Sequence, residues 1–183
     1  MEMTPGTQDF TIEPGRPADV PLILSLIQEL AEYEQLSHEV TASEERLHDA
    51  LFGRAPVAHA VIAREGSDAA GFALYFFNFS TFLGKPGLYL EDLFVRPRWR
   101  KRGLGRQLLA HLARIAVERG CGRMEWSVLN WNETALRVYR SIGAAPLSEW
   151  TVQRLVGQPL ADLAASASPA PATASDVGPP SVS

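Results

Sequence analysis

A run of basic residues followed by two glycines is the strongest chemical signal in this 183-residue chain. Six basic side chains and no acidic one fall between Arg96 and Arg106, and Gly103-Leu104-Gly105 leads into an apolar periodic stretch that predicts a helix. A helix N-terminus exposes unpaired N–H groups, and glycine lets a phosphate approach the backbone closely. The pattern therefore predicts a pyrophosphate cradle. The segment is not a Walker loop, because the chain contains no such motif. It is not a dinucleotide-binding fingerprint either, because that motif would have glycine at the position of Leu108.

The charges are distributed unevenly along the chain. Residues 1–92 carry 15 acidic and 5 basic side chains, whereas residues 93–160 carry 4 acidic and 12 basic ones. This asymmetry favours a site that binds an anion at the basic segment and an acidic surface opposite it that binds a cation. The alternative interpretation is that the basic segment is a solvent-exposed loop without a ligand. The acidic residues of the first predicted helix and the loop after it belong to this surface, with most weight on Tyr33 and Glu34 because they end the helix.

Composition excludes several classes of protein. The single cysteine, Cys121, excludes an internal disulfide framework and a cysteine-rich zinc site, and the four histidines form no local metal motif, so we expect no metal. No apolar run reaches the ~18–20 residues that span a bilayer. Residues 1–9 lack the apolar region of a secretory signal, so we expect a cytoplasmic protein without membrane contact.

Hydrophobic periodicity predicts a mixed α/β domain over residues 10–160. Short connections predict an antiparallel meander at the start, and a helical crossover later predicts a parallel pair. Residues 1–9 are expected to be flexible, and residues 161–183, of which 16 are Ala, Ser or Pro, to be a disordered tail. Helices are expected at 17–34, 43–52, 104–119 and 132–142, and strands at 10–13, 57–64, 71–79, 88–95, 124–129 and 147–155.

The segment Arg100-Lys101-Arg102-Gly103-Leu104-Gly105 matches the R/Q-x-x-G-x-G/A motif of the GNAT superfamily of acyl-CoA-dependent N-acetyltransferases. The order of the predicted elements around it also resembles that family, over roughly residues 10–157. LIQELAEYE (26–34), YLEDLFV (89–95) and VLNWNETALRVYRSIGA (128–144) resemble the spermidine/spermine and thialysine acetyltransferase branch. The resemblance implies a GNAT-like mixed sheet with a splayed parallel pair flanked by helices, acetyl-CoA as co-substrate, and a homodimer.

The resemblance also implies roles for individual residues. Acetyl-CoA would lie where the strands ending near Val95 and Leu129 splay apart. Tyr139 would protonate the departing CoA thiolate, and Glu91 would help to deprotonate or bind the amine. The expected donor-binding residues are Leu93, Phe94, Val95, Arg100, Lys101, Arg102, Gly103, Leu104, Gly105, Arg106, Asn132 and Tyr139, and the expected amine-binding residues are Tyr33, Glu34, Glu91 and Asp92.

These residue types suit direct acetyl transfer to an amine. A carboxylate can accept the proton that a protonated amine must lose, and a phenol can donate one to a thiolate. Because strand residues alternate between faces, we expect at most one of Glu91 and Asp92 to point into the pocket, and we favour Glu91. Asn132 also suits a helix N-cap, so it has a structural role available.

The predicted function is acetyl-CoA-dependent N-acetylation of a small primary amine, such as a polyamine, a diamine or a thialysine-like amino acid. A non-catalytic CoA-binding or dimerisation protein is one alternative. A nucleic-acid-binding module that uses residues 96–106 is another, but the net charge of −4 and the lack of a repeated basic-aromatic face argue against nucleic acid as a partner.

Overall fold

A five-stranded sheet in the order β1-β2-β3-β4-β5 organises the structure, a computed structural model that describes residues 10–167. The strands β1 to β4 pair antiparallel in sequence order, and β5 pairs parallel with β4. The predicted meander and the predicted parallel pair are therefore confirmed. The strands are β1 (Thr11–Pro14), β2 (His59–Glu65), β3 (Asp68–Ser80), β4 (Lys85–Val95) and β5 (Arg123–Trp126).

Helices cover both faces of this sheet. On one face, α1 and α2 pack against β2, β3 and β4, and Ile23, Leu26 and Phe72 are fully buried between them. The other face buries α3 through Leu108 and Leu112. Apolar side chains at helical spacing produce both contacts. The helices are α1 (Val20–Tyr33), α2 (Glu44–Phe52), α3 (Leu104–Glu118), α4 (Glu133–Ser141) and α5 (Gly157–Ala165), and short 3-10 turns cover Pro17–Asp19, Ser37–Glu39 and Pro97–Trp99.

Helix boundaries follow the capping residues. The Ser43 hydroxyl accepts a hydrogen bond from the Arg46 backbone N–H at 3.3 Å, which caps α2. The Asn132 side-chain oxygen does the same for α4 by accepting from the Ala135 N–H at 3.2 Å. All the helices and strands predicted before residue 143 are present, with ends that shift by a few residues. No helix within residues 10–167 is long and apolar enough to cross a membrane.

The chain divides into two units at Ile142 and Gly143. In the second unit the predicted strand at 147–155 is wrong, because no residue of this segment is in a strand. The backbone N–H of Trp150 donates instead to the Leu147 carbonyl at 3.2 Å, which makes a turn. The alternating apolar pattern predicted a strand, but a strand also needs a neighbour to pair with.

The start of the predicted tail also differs from expectation. Helix α5 continues to Ala165, so residues 161–165 are helical in the structure. The rest of the predicted tail from residue 168 onwards, and the predicted flexible segment 1–9, lie outside the described residues.

Candidate active site

A cleft opens where the two parallel strands separate. The β4–β5 pairing begins at Gly87 with Arg123 and ends at Leu90 with Trp126, while β4 continues to Val95. The end of β4 that pairs with β3 but not with β5 forms one wall of a cavity of about 660 Å³. The other walls come from the end of α1, the start of α3, the residues after β5, and α4. A cavity of this size fits a small-molecule ligand.

The cavity brings together most of the residues that the sequence singled out. The exception is Arg102, which does not line it. The predicted residues that do line it are Tyr33, Glu34, Glu91, Asp92, Leu93, Phe94, Val95, Arg100, Lys101, Gly103, Leu104, Gly105, Arg106, Asn132 and Tyr139. They come from four separate segments, so the fold gathers them from distant parts of the sequence.

The N-terminus of α3 lines the cavity. Gly103 is its N-cap, has a φ of 81°, and provides no side chain to cap the first N–H groups. A Cβ added at Gly105 would meet only a Val95 methyl, at 4.0 Å. The protein itself therefore leaves space in front of these N–H groups, which is the geometry that an anion needs at a helix N-terminus.

The arginines near this loop have protein partners. Arg100 donates from Nε to the Val95 carbonyl at 2.8 Å, and its guanidinium lies 4.4 Å from the centre of the Tyr33 ring. Arg102 turns away from the cavity to an ion pair with Glu65. The expectation that Arg102 contacts the donor is therefore not met by its side chain, because a carboxylate distant in sequence binds it.

A second ion pair fixes the end of β4 to α1. Arg96 donates from Nε to a Glu29 carboxylate oxygen at 2.8 Å and also donates to the carbonyl of Ala69 at 3.0 Å. These bonds, with the guanidinium charge, hold the pKa of Glu29 below its ordinary value. Glu29 is thus a structural residue rather than part of the surface that receives a cation.

A β-bulge places two carboxylates in the same cavity. The register runs from Tyr75 opposite Leu90 directly to Leu74 opposite Asp92, so Glu91 has no partner on β3. Glu91 and Asp92 both line the cavity. The extra residue interrupts the strict alternation from which the sequence predicted that at most one of the two side chains points into the pocket.

The acidic end of the cavity is electrostatically strained. Burial raises the pKa of Asp92 from its ordinary value of 3.8 to about 6, and the neighbouring charges of Glu91 and Glu34 act in the same direction. Burial also raises the pKa of Glu34, the residue that ends α1. No ion pair within residues 10–167 involves any of these three carboxylates. A bound cation would therefore relieve their mutual repulsion.

A protonated phenol faces this acidic end. Tyr139 lies on α4 with its ring 5.0 Å from that of Trp126, the last residue of β5, in an edge-to-face contact. Burial raises the pKa of Tyr139, and the charge of Glu34 adds to the effect. The hydroxyl therefore keeps its proton at neutral pH and is available as a donor. The side-chain oxygen of Asn132, at the start of the same helix, is used in capping.

Sequence reasoning missed Glu65. Its carboxylate accepts a hydrogen bond from the indole N–H of Trp99 at 2.9 Å as well as from Arg102. Glu65 lies at the end of β2, 34 and 37 residues before these partners. No local motif marks such a contact, so only the register of the sheet and the path of the loop could have identified it.

Three comparisons with known proteins agree with this geometry. The family described as Acetyltransferase (GNAT) family matches residues 23–144. A thialysine N-epsilon-acetyltransferase from Bos taurus is 37% identical over 164 residues, covering 84% of this chain and 96% of that protein. An L-ornithine N5-acetyltransferase from Arabidopsis thaliana is 33% identical and covers 79% and 83% of the two chains. An integron cassette protein from V. cholerae is similar in structure, with a TM-score of 0.71, 31% identity and coverage of 85% and 97%.

Proposed function

Because the chain belongs to the GNAT family of acetyltransferases and is an N-acetyltransferase, we propose that it moves an acetyl group from acetyl-CoA to a primary amine of a small molecule. Members of this family use acetyl-CoA, and solved structures that share the fold include complexes with CoA. The observation that carries the proposal is the cavity at the β4–β5 separation, whose lining includes both the N-terminus of α3 and three carboxylates that form no ion pair within the described residues.

The donor is proposed to lie along the edge of β4 that β5 leaves without a partner after Leu90. The backbone of Leu93, Phe94 and Val95 would bind the pantetheine arm and polarise the thioester carbonyl, and the fact that all three residues line the cavity supports this. The backbone N–H groups from Lys101 to Arg106 would bind the pyrophosphate. The lining of the cavity by Gly103 and Gly105 supports this assignment, because neither adds a side chain between the phosphate and the helix.

The acceptor amine is proposed to enter from the acidic side. It arrives as an ammonium ion, and Glu34, Glu91 and Asp92 attract it. One proton then leaves through the Glu91–Asp92 pair, directly or through water, because a carboxylate with a pKa of about 6 is an effective base near neutral pH. The free amine attacks the thioester carbon, the C–S bond breaks, and Tyr139 gives its proton to the CoA sulfur. The nitrogen of the new amide releases its second proton, which returns to the Tyr139 oxygen directly or through water.

The substrate is proposed to be a diamine, a polyamine or an amino acid with a second amine. The relatives named for thialysine and for L-ornithine act on amines of the last kind. Three carboxylates are more than one ammonium group requires, which supports an acceptor with more than one positive charge. We retain the homodimer and the cytoplasmic location as predictions, and sedimentation analysis of the purified chain tests the first.

The basic loop supports nucleic-acid binding poorly. Arg96 and Arg102 are bound to carboxylates, and Arg98 lies 3.6 Å from Asp68. A phosphate backbone would have to displace these partners, whereas the backbone N–H groups at the start of α3 face the cavity without doing so.

Release of free thiol from acetyl-CoA, measured across a panel of amines, tests the proposed function. The panel contains thialysine, ornithine, putrescine, spermidine and a simple monoamine. We expect turnover with at least one of the substrates that carry two amines, and strongly reduced turnover with Tyr139→Phe. If CoA binds but no amine of the panel releases thiol faster than an enzyme-free control, the proposed substrate class is wrong.

A further inference from the structure

One carboxylate outside the cavity fastens the loop that precedes α3. Glu65 accepts from the indole N–H of Trp99 at 2.9 Å and from the guanidinium of Arg102, so it binds the loop at two points. The Arg102 hydrogen bonds, followed by the Trp99 bond, hold the pKa of Glu65 below its ordinary value. Glu65 is therefore charged throughout the neutral range and remains a strong acceptor.

Both partners of Glu65 are themselves fixed in place. Trp99 is only 6% exposed and belongs to the core beneath α3. The guanidinium of Arg102 lies 5.0 Å from the centre of the Phe10 ring, on β1's side of the molecule. The Arg102 side chain thus points away from the cavity, while the residues on either side of it, Lys101 and Gly103, line the cavity.

The backbone of this loop adopts an uncommon conformation. Lys101 has a φ of 62° and Gly103 has a φ of 81°, both in the left-handed region. A non-glycine residue such as Lys101 is disfavoured there and persists where surrounding contacts determine its conformation. Arg102, between the two, is the residue that Glu65 binds. The Glu65 contact is therefore placed to hold both left-handed residues.

We propose that Glu65 is a positioning residue for donor binding, which acts through Trp99 and Arg102 to hold the loop so that its backbone N–H groups face the pyrophosphate of acetyl-CoA. This inference rests on the proposed function, because it requires a donor with a pyrophosphate at the start of α3. Glu65 touches neither the donor nor the amine. Its effect is on the affinity for the pyrophosphate part of the donor.

The chain offers a matched control in Asp68. Asp68 and Arg98 form an ion pair of 3.6 Å between the same β2–β3 hairpin and the same loop. Both side chains are more than half exposed, and neither residue lines the cavity. Asp68→Asn therefore removes one negative charge from the same hairpin without releasing Trp99 or Arg102.

Two donors separate positioning from general stability. S-acetylpantetheine carries the thioester arm of acetyl-CoA but no pyrophosphate. For Glu65→Gln we expect KM for acetyl-CoA to rise about tenfold with kcat little changed, as when a functional group loses a supporting contact. We expect kcat/KM for S-acetylpantetheine and KM for the amine to stay at wild-type values, and Asp68→Asn to leave all of these parameters unchanged.

An equal loss of kcat/KM with both donors would overturn the proposal, because it would show general damage to the fold. An unchanged KM for acetyl-CoA would overturn it as well. If Glu65→Gln folds poorly, Trp99→Phe removes the N–H donor and keeps an aromatic ring at this buried position, although it also removes the five-membered ring of the indole. That variant should show the same selective effect on acetyl-CoA at smaller size, and its absence would also contradict the proposal.

Calorimetric titration with CoA distinguishes this proposal from the proposed function. If the wild type binds CoA but transfers no acetyl group, the proposed function fails. A tenfold weaker Kd for CoA in Glu65→Gln, with Asp68→Asn unchanged, then still supports the role of Glu65. If the wild type does not bind CoA, both proposals are wrong.

Discussion

Carboxylates in two parts of this molecule have opposite electrostatic surroundings. Glu29 and Glu65 lie beside guanidinium groups that fix the end of β4 and the loop before α3, and both have lowered pKa values. Glu34 and Asp92 lie at the acidic end of the cavity and have raised pKa values. The first pair forms ion pairs within the fold, whereas the second forms none among the described residues and is proposed to bind the substrate.

The two groups therefore make opposite contributions to stability as the pH changes. A lowered pKa in the folded state adds stability above the unfolded pKa of about 4.5, and this stability is lost as the pH falls. A raised pKa does the reverse. Asp92 becomes destabilising as the pH rises from its ordinary pKa of 3.8 towards about 6. The proposed mechanism thus uses, near neutral pH, a charge that the fold does not favour.

The largest expected effect is the loss of activity in Asp92→Asn. The amide cannot accept a proton, so kcat/KM for a diamine should fall by roughly 10²–10⁴-fold. In the wild type, kcat/KM should rise with pH around a midpoint of about 6, and this rise should be missing from the variant. If instead Glu91→Gln removes the rise and Asp92→Asn retains it, Glu91 is the proton acceptor of the pair.

The second-largest expected loss of activity is that of Tyr139→Phe. The ring keeps its contact with Trp126, so the fold and the CoA affinity should be retained. Without the hydroxyl the thiolate must leave without a proton from this group, and kcat should fall by roughly 10²-fold. Calorimetry with CoA and steady-state kinetics measure the two quantities separately. Turnover close to that of the wild type would show that Tyr139 serves packing alone.

Thermal unfolding of two neutralised variants tests the comparison directly. At pH 7, Asp92→Asn should increase the free energy of unfolding by about 1–3 kcal/mol, because it removes a buried charge whose pKa is raised by about two units. Glu29→Gln should lower it by about 1 kcal/mol, the upper range for a partly exposed ion pair. The difference between the variants should shrink as the pH falls below 5. Shifts of the same sign would contradict the division into two groups.

The smallest expected effect is that of Glu34→Gln. Glu34 is half-buried, and a partly exposed charge interaction contributes ~0.2–1 kcal/mol, so KM for a diamine should rise only several-fold. KM for acetyl-CoA should stay unchanged. Added salt should reduce the difference between variant and wild type, because screening weakens the attraction of a cation. A monoamine serves as the comparison substrate and should respond less.

The sheet and its helices could be predicted because local patterns specify them. The apolar spacing of α1 and α3 and the polar residues Ser43 and Asn132 at helix starts are readable without knowledge of distant contacts. The strand expected at 147–155 shows the limit of such patterns. Its alternation is real, but pairing is a property of two segments, and the structure pairs this one with none of the described strands.

The candidate site shows a similar division. The loop before α3 and the positions of Glu91 and Tyr139 were predicted from motifs, whereas the side-chain partners were not. Arg102 was expected to face the donor, yet it binds Glu65, 37 residues earlier in the chain. Whether an arginine points into a cavity or towards a carboxylate depends on long-range geometry, which one segment of sequence does not contain.

The bulge in β4 also has a consequence for how the acidic pair could have arisen. Ten consecutive residues of β3, from Gly71 to Ser80, pair with β4, and only Glu91 is passed over. Deleting Glu91 would therefore leave an uninterrupted ladder with Asp92 still opposite Leu74. Conversely, inserting a single glutamate codon into a regular strand at this position would add a second carboxylate to the cavity and disturb no other residue pair between β3 and β4. In this part of the fold, a new acidic group is accessible by a change of length as well as by a change of residue.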